Sequence, residues 1–216
     1  MSITTVRNGI AAVAALGFLA ASAAPAQAQA RMGESSKWSV DGRAGIGVPI
    51  GDFSDLAVDD VAPTFGVGVG YAVHPRVTVR VDGDVEMYGG TTFDDGLGGT
   101  GPDISLWHYG AGAEFEVTPP AGPWKVSANV GAGATTWDTD EFLSQAGVAE
   151  VSDTYFTASG GLRAGYEVAR SVSVFVGGQW YLQFSDAEAL RPLPGVPWGF
   201  DTVNTVPVRA GFTLTF

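Results

Sequence analysis

Residues 77–88 read VTVRVDGDVEMY. Val77, Val79, Val81, Val85 and Met87 alternate with Thr78, Arg80, Asp82, Asp84 and Glu86, and Gly83 falls on the apolar side. A period of two is the mark of a β-strand with two unlike faces. One face of this strand is oil. The other carries Arg80, Asp82, Asp84 and Glu86 in one unbroken line. Such a strand needs an apolar medium on one side and a polar one on the other.

The same alternation recurs in eight segments: 38–48, 64–73, 77–88, 104–117, 124–135, 154–168, 172–183 and 206–216. The connections alternate in length. After the second, fourth and sixth segments they are short: His74-Pro75-Arg76, TPPAGP at 118–123, and Ala169-Arg170-Ser171. The others are long and rich in Gly, Asp and Pro. Short turns at one end and long loops at the other describe an up-and-down meander. Eight tilted strands of roughly ten residues suit the thickness of an outer membrane. The reading is all-β: an eight-stranded antiparallel transmembrane barrel.

The two faces support a barrel over a soluble sandwich. One face of the eight segments holds only apolar and small residues. If both ends of the barrel domain lie at the short-turn side, Trp38, Tyr71, Phe115, Trp124, Tyr166 and Phe216 gather there. Phe65, Trp107, Phe156 and Trp180 then gather near the opposite end. Two aromatic belts are what two membrane interfaces select. The other face holds Asp41, Arg43, Arg80, Asp82, Asp84, Glu86, His108, Glu114, Glu116, Lys125, Arg163, Glu167 and Arg209 among many Gly, Ser and Thr. A narrow lumen needs small residues where long side chains cross it. Seven carboxylates against five bases and one His is close to balance. An unpaired ion in that space costs several kcal/mol, so this set is expected to pair and fill the lumen.

Composition narrows the rest. The chain has 216 residues, 31 Gly and no Cys, so disulfides and thiolate metal sites are excluded. With 11 Lys+Arg against 23 Asp+Glu it is no nucleic-acid binder. Arg7, the apolar run 10–24 and Ala28-Gln29-Ala30 read as a secretory signal peptide. The expected division is a cleaved leader at 1–30 and a barrel domain at 31–216.

On these residues the chain resembles the small eight-stranded outer-membrane barrels of Gram-negative bacteria, the OmpA, OmpX and opacity type, with OmpW-type barrels as relatives. The last strand, VRAGFTLTF, is similar to the family's assembly signal, which implies that Phe212, Leu214 and Phe216 are read by the barrel assembly machinery. GIGVPIGDFSD at 45–55 is similar to a "G-x-x-x-P-x-G-D-F" stretch that follows the first strand in many such barrels. The resemblance implies a bacterial outer-membrane location with periplasmic termini, in contact with membrane lipid and lipopolysaccharide. It implies a structural or surface-interaction role, with a narrow solute channel as the alternative. A lipid-modifying enzyme centred on His108 is the third reading. Ser105, the nearest hydroxyl nucleophile in sequence, has the opposite parity, so His108 is expected to be a lumen residue bonded to a carboxylate. No catalytic residue, cofactor or metal ligand is assigned.

The long connections hold 15 of the 23 acids, with Arg191 as their one base. Clustered hard oxygens suit divalent cations, although a solvated, repulsive surface that keeps the loops soluble is the favoured reading. Gly66-x-Gly68-x-Gly70 lies inside a strand with no helix after it, so it makes room and is not a nucleotide loop. Trp198-Gly199-Phe200 is an aromatic cluster in the last loop, suited to packing on the rim or to meeting a partner.

Overall fold

The computed structural model describes residues 37–55, 61–89, 103–118, 122–139, 142–144, 147–149, 152–184 and 202–216. The leader, most of the loop acids and Trp198–Phe200 lie outside the described residues.

Eight long strands form the barrel: β1 (Trp38–Gly47), β2 (Ala62–His74), β3 (Val77–Tyr88), β4 (Ile104–Glu116), β5 (Trp124–Thr139), β6 (Ser152–Ala169), β7 (Val172–Phe184) and β8 (Val208–Thr215). Each pairs antiparallel with its neighbours in sequence, and β8 pairs with both β7 and β1. The sheet therefore closes and has no free edge. Closure is what lipid demands, because an unpaired backbone group in hydrocarbon costs several kcal/mol. The seam ends in a reciprocal pair: Trp38 N donates to Phe216 O at 3.2 Å, and Phe216 N donates to Trp38 O at 2.9 Å.

Alternation decides which way each side chain points. The outer face shows Val81 at 62% and Trp124 at 64% exposure, with Phe65, Val79, Phe115, Leu162, Val176 and Phe212 also exposed. A soluble protein would hide these. Within the strands this face carries no charge until Asp138, at the loop end of β5. Val85 is the exception in burial: it lies on the outside but is covered between Phe65 and Trp107 of the flanking strands.

Regular structure departs from the sequence pattern in three places. The last segment is interrupted at Val206-Pro207, and a short strand, Thr202–Thr205, continues it upward to pair with β7. Pro207 has no amide hydrogen to give to a ladder, although its carbonyl accepts from Gln179 N at 3.0 Å. The third long connection is partly regular too, with a small hairpin of Phe142–Ser144 and Gly147–Ala149. At the first loop, Pro49–Ile50 pairs with Asn204–Thr205, and a 3₁₀ turn follows at Gly51–Asp55.

Candidate functional site

The candidate site is the lumen, and its lower half is an ion network. Arg43 grips Asp84 with two prongs, Nε to Oδ1 and Nη2 to Oδ2, both at 2.7 Å. Its Nη1 reaches Asp82 at 2.7 Å and Asp41 at 3.0 Å. Arg80 pairs with Asp41, with Asp82 at 3.0 Å and with Glu114 at 3.3 Å. Arg209 pairs with Asp84 and donates to Tyr181 Oη at 3.3 Å, while Tyr181 Oη donates to Asp84 Oδ2 at 2.6 Å. Arg163 donates to Thr213, lies 3.7 Å from Glu114 and stacks with its Cζ 3.4 Å from the Phe175 ring. Four guanidinium groups face four carboxylates, Asp41, Asp82, Asp84 and Glu114. All but Asp82, whose side chain is 29% exposed, are largely shut from solvent. Balance of this kind makes a dry lumen tolerable, because each charge has an opposite one within bonding distance.

The register shows how the strands bring these groups together. Gly66 lies between Arg43 on β1 and Asp84 on β3; Gly68 lies between Asp41 and Asp82 in the same way. The two charged strands reach across the glycine strand and meet above it. A Cβ on Gly66 would overlap Asp84 Oδ1 and stand 2.9 Å from Arg43 Nε. The glycine row is thus the floor of the network.

Above the ions sits a second layer. Glu86, 0% exposed, accepts from Tyr88 Oη at 2.7 Å, Thr205 Oγ1 at 3.1 Å and His108 Nε2 at 3.0 Å. His108, 3% exposed, stacks on Tyr181 with centroids 4.1 Å apart, and its Nδ1 is 2.6 Å from Thr135 Oγ1. Every polar atom of this His–Glu pair is therefore committed inside the barrel. Ser105 faces outward, in the other parity. Among the described residues, no group of His, Asp or Glu is arranged to hold a metal ion.

A third layer, at the long-loop mouth, is apolar: Phe53, Ala62, Tyr88, Ile104, Leu106, Trp137, Tyr155 and Val203. Phe53 comes from the first loop. Gly51, at φ 65°, turns the chain, and the 3₁₀ turn drops the ring between Tyr88 and Trp137, centroids 5.2 and 5.3 Å away. A left-handed φ favours glycine at that turn. Trp137 Nε1 donates to Gln183 Oε1 at 2.7 Å, which satisfies its one polar atom. The strand parity of Leu106, Trp137 and Tyr155 signals this layer in the sequence. The loop residue Phe53 carries no such signal.

Toward the short-turn end the lumen opens into a cavity of about 810 Å³, lined by Ser39, Thr78, Glu116, Lys125, Glu167 and Thr213 among others. Lys125 and Glu167 face each other at 3.7 Å near its mouth. A smaller cavity of about 80 Å³ lies deeper, against Gly110, Gly112, Asn129, Gly131 and Ser159. Arg80, Glu114, Arg163 and Phe175 line both. On the outside at this end, Trp38 packs on Tyr71 and Trp124 on Tyr166, with centroids 4.8 and 5.0 Å apart. Phe115 and Phe216 are exposed at the same level. Phe65, Trp107, Phe156 and Trp180 sit toward the loop end, where Phe156 packs on Phe184 at 5.8 Å. In the last strand Phe212 and Leu214 point outward.

A closed antiparallel barrel, apolar outside, charged inside and ringed by aromatics, is a membrane-spanning β-barrel. The chain belongs to the outer membrane protein beta-barrel domain family, whose model matches residues 12–216. It is therefore a bacterial outer-membrane barrel. Among solved structures it is similar to Neisserial surface protein A (NspA), at 13% identity and a TM-score of 0.60, covering 85% of this chain and all of that one. It is also similar to OprG from Pseudomonas aeruginosa (12% identity, TM-score 0.52, 84% and 97% covered). A third is Ail, the attachment invasion locus protein of Yersinia pestis (13%, TM-score 0.50, 84% and 100%). At such identities the likeness is one of fold. Among curated proteins none matches the sequence.

Proposed function

We propose that this protein is a closed, non-catalytic barrel that braces the outer membrane and presents its acidic loops at the cell surface, with the short turns and both ends of the barrel in the periplasm. The observation that carries this reading is the filled lumen: ion network, His108–Glu86 layer and Phe53 plug stacked in series. A path for ions would have to cross all three. The acidic loops would meet lipopolysaccharide directly or through divalent cations, and Phe212, Leu214 and Phe216 would be read by the assembly machinery. Purified barrel in planar bilayers should be silent. Stable single-channel steps would overturn the closed reading and favour a narrow channel, which the two adjoining cavities above and below Arg80–Glu114–Arg163 support as the second reading. Catalysis at His108 is disfavoured by its burial. A lipid A mass change that vanishes in His108→Ala would restore it.

A further inference from the structure

We infer that the short-turn rim is a binding surface for anionic phospholipid headgroups. The chain as a whole carries a net charge of −12, so cations exposed on it need a reason. Among the described residues the exposed Lys and Arg are Lys37, Arg76, Lys125 and Arg170, and all four lie at the short-turn end. At the opposite end the described charged residues, among them Asp103 just before β4, Asp138 on β5 and Asp153 on β6, are acids. Glu116 and Glu167 also lie at the short-turn end, so four bases stand against two acids there, whereas the described charges at the other end are acidic.

Three features point to lipid as the occupant. First, the level is right. Lys37 and Lys125 adjoin Trp38 and Trp124, which form the aromatic pairs with Tyr71 and Tyr166. Aromatic girdles sit at the headgroup plane, and cations just beyond them face the phosphates. Second, the spacing is right. The four cations come from the start of β1, the β2–β3 turn, the start of β5 and the β6–β7 turn, so they are spread around the circumference. A single soluble ligand would need them gathered; an annulus of headgroups needs them apart. Third, Lys37, Arg76 and Arg170 are available, whereas Lys125 stands on the lumen side of its strand. Only Lys125 has an acid near it, Glu167 at 3.7 Å; Lys37, Arg76 and Arg170 make no ion pair among the described residues. The inference depends on the barrel crossing a membrane and not on what the loops do.

The test uses the full mature chain in mixed micelles holding equal phosphatidylglycerol and phosphatidylcholine, with retained lipids counted by native mass spectrometry. The protein should prefer phosphatidylglycerol by about fivefold per cation site. The triple variant Lys37→Gln, Arg76→Gln, Arg170→Gln should fall to near parity while still showing the heat-modifiable gel shift of a folded barrel. Should that variant not fold, Arg76→Gln alone, in a surface turn, should lose part of the preference. Millimolar glycerol phosphate should not displace the lipid. Equal retention of the two lipids by the unaltered protein would overturn the inference. So would a variant that keeps the full preference. Displacement by glycerol phosphate would show a general anion site and sink the lipid assignment.

Discussion

Removing Arg43 tests the ion network most directly. Its guanidinium makes four contacts of 2.7–3.0 Å to three carboxylates. In Arg43→Met, Asp84 keeps Arg209 and Tyr181, while Asp41 and Asp82 share Arg80. Four bases against four acids become three against four, in a region where water is largely excluded. Breaking a buried pair by removing one partner costs about 3–5 kcal/mol, mostly through the charge left behind. With a urea slope of about 2 kcal/mol per molar, the unfolding midpoint should fall by about 2 M. Tryptophan fluorescence in phospholipid vesicles reads the transition, and the gel shift confirms closure. Adding Asp82→Asn to Arg43→Met restores the charge balance and leaves each remaining ion a partner, since Asp84 keeps Arg209 while Arg80 keeps Asp41 and Glu114. The double variant should therefore be more stable than Arg43→Met alone, with a coupling of about 1–3 kcal/mol. A loss below about 1 kcal/mol in the single variant would refute the dry network and place these charges in water, where ion pairs contribute little. A double variant no better than the single would refute the claim that uncompensated charge is what destabilises.

Phe53→Ala should cost about 3–4 kcal/mol, because the ring is fully buried against Tyr88 and Trp137; near-ultraviolet dichroism should lose an aromatic signal, and an unchanged spectrum and midpoint would mean the loop does not plug the mouth. Gly66→Ala should destabilise by about 1–3 kcal/mol through overlap with Asp84. Gly83→Ala, whose Cβ would meet nothing within 4 Å, should be close to neutral in the same urea assay. Equal effects at the two glycines would remove the steric account of the β2 glycine row.

The strands were legible because parity is a local property. VTVRVDGDVEMY has the same limits, 77–88, in sequence and structure. What parity cannot give is register. Sequence alone offers Arg43, Arg163 and Arg209 as partners for the acids of β3. The register carries Arg43 and Arg209 to Asp84 but leaves Arg163 with Glu114 and Thr213. Glu86 meets no arginine among the described residues; it sits a layer higher, where the donors are a histidine, a tyrosine and a threonine. The plug was hidden for another reason. Phe53 lies in a loop whose path depends on Gly51 and on pairing with Asn204–Thr205, about 150 residues away.

Glycine placement joins these observations. The charges of the network stand mainly on β1 and β3, and glycines stand beside them on β2, at 66 and 68, and on β4, at 110 and 112. Side chains two strands apart can meet only when the strand between them is bare. Where two bare strands adjoin, nothing is left to fill the space. Gly110 pairs with Gly133 and Gly112 with Gly131, and the inner cavity lies against that double row. The line of charge on β3 is therefore half of a device whose other half is a line of absent side chains. It closes the lumen on the β1–β3 side and leaves room on the β4–β5 side. If the barrel conducts anything, that glycine-lined wall is where it would pass, and the Glu86–His108 layer and the Phe53 plug are what it would still have to move.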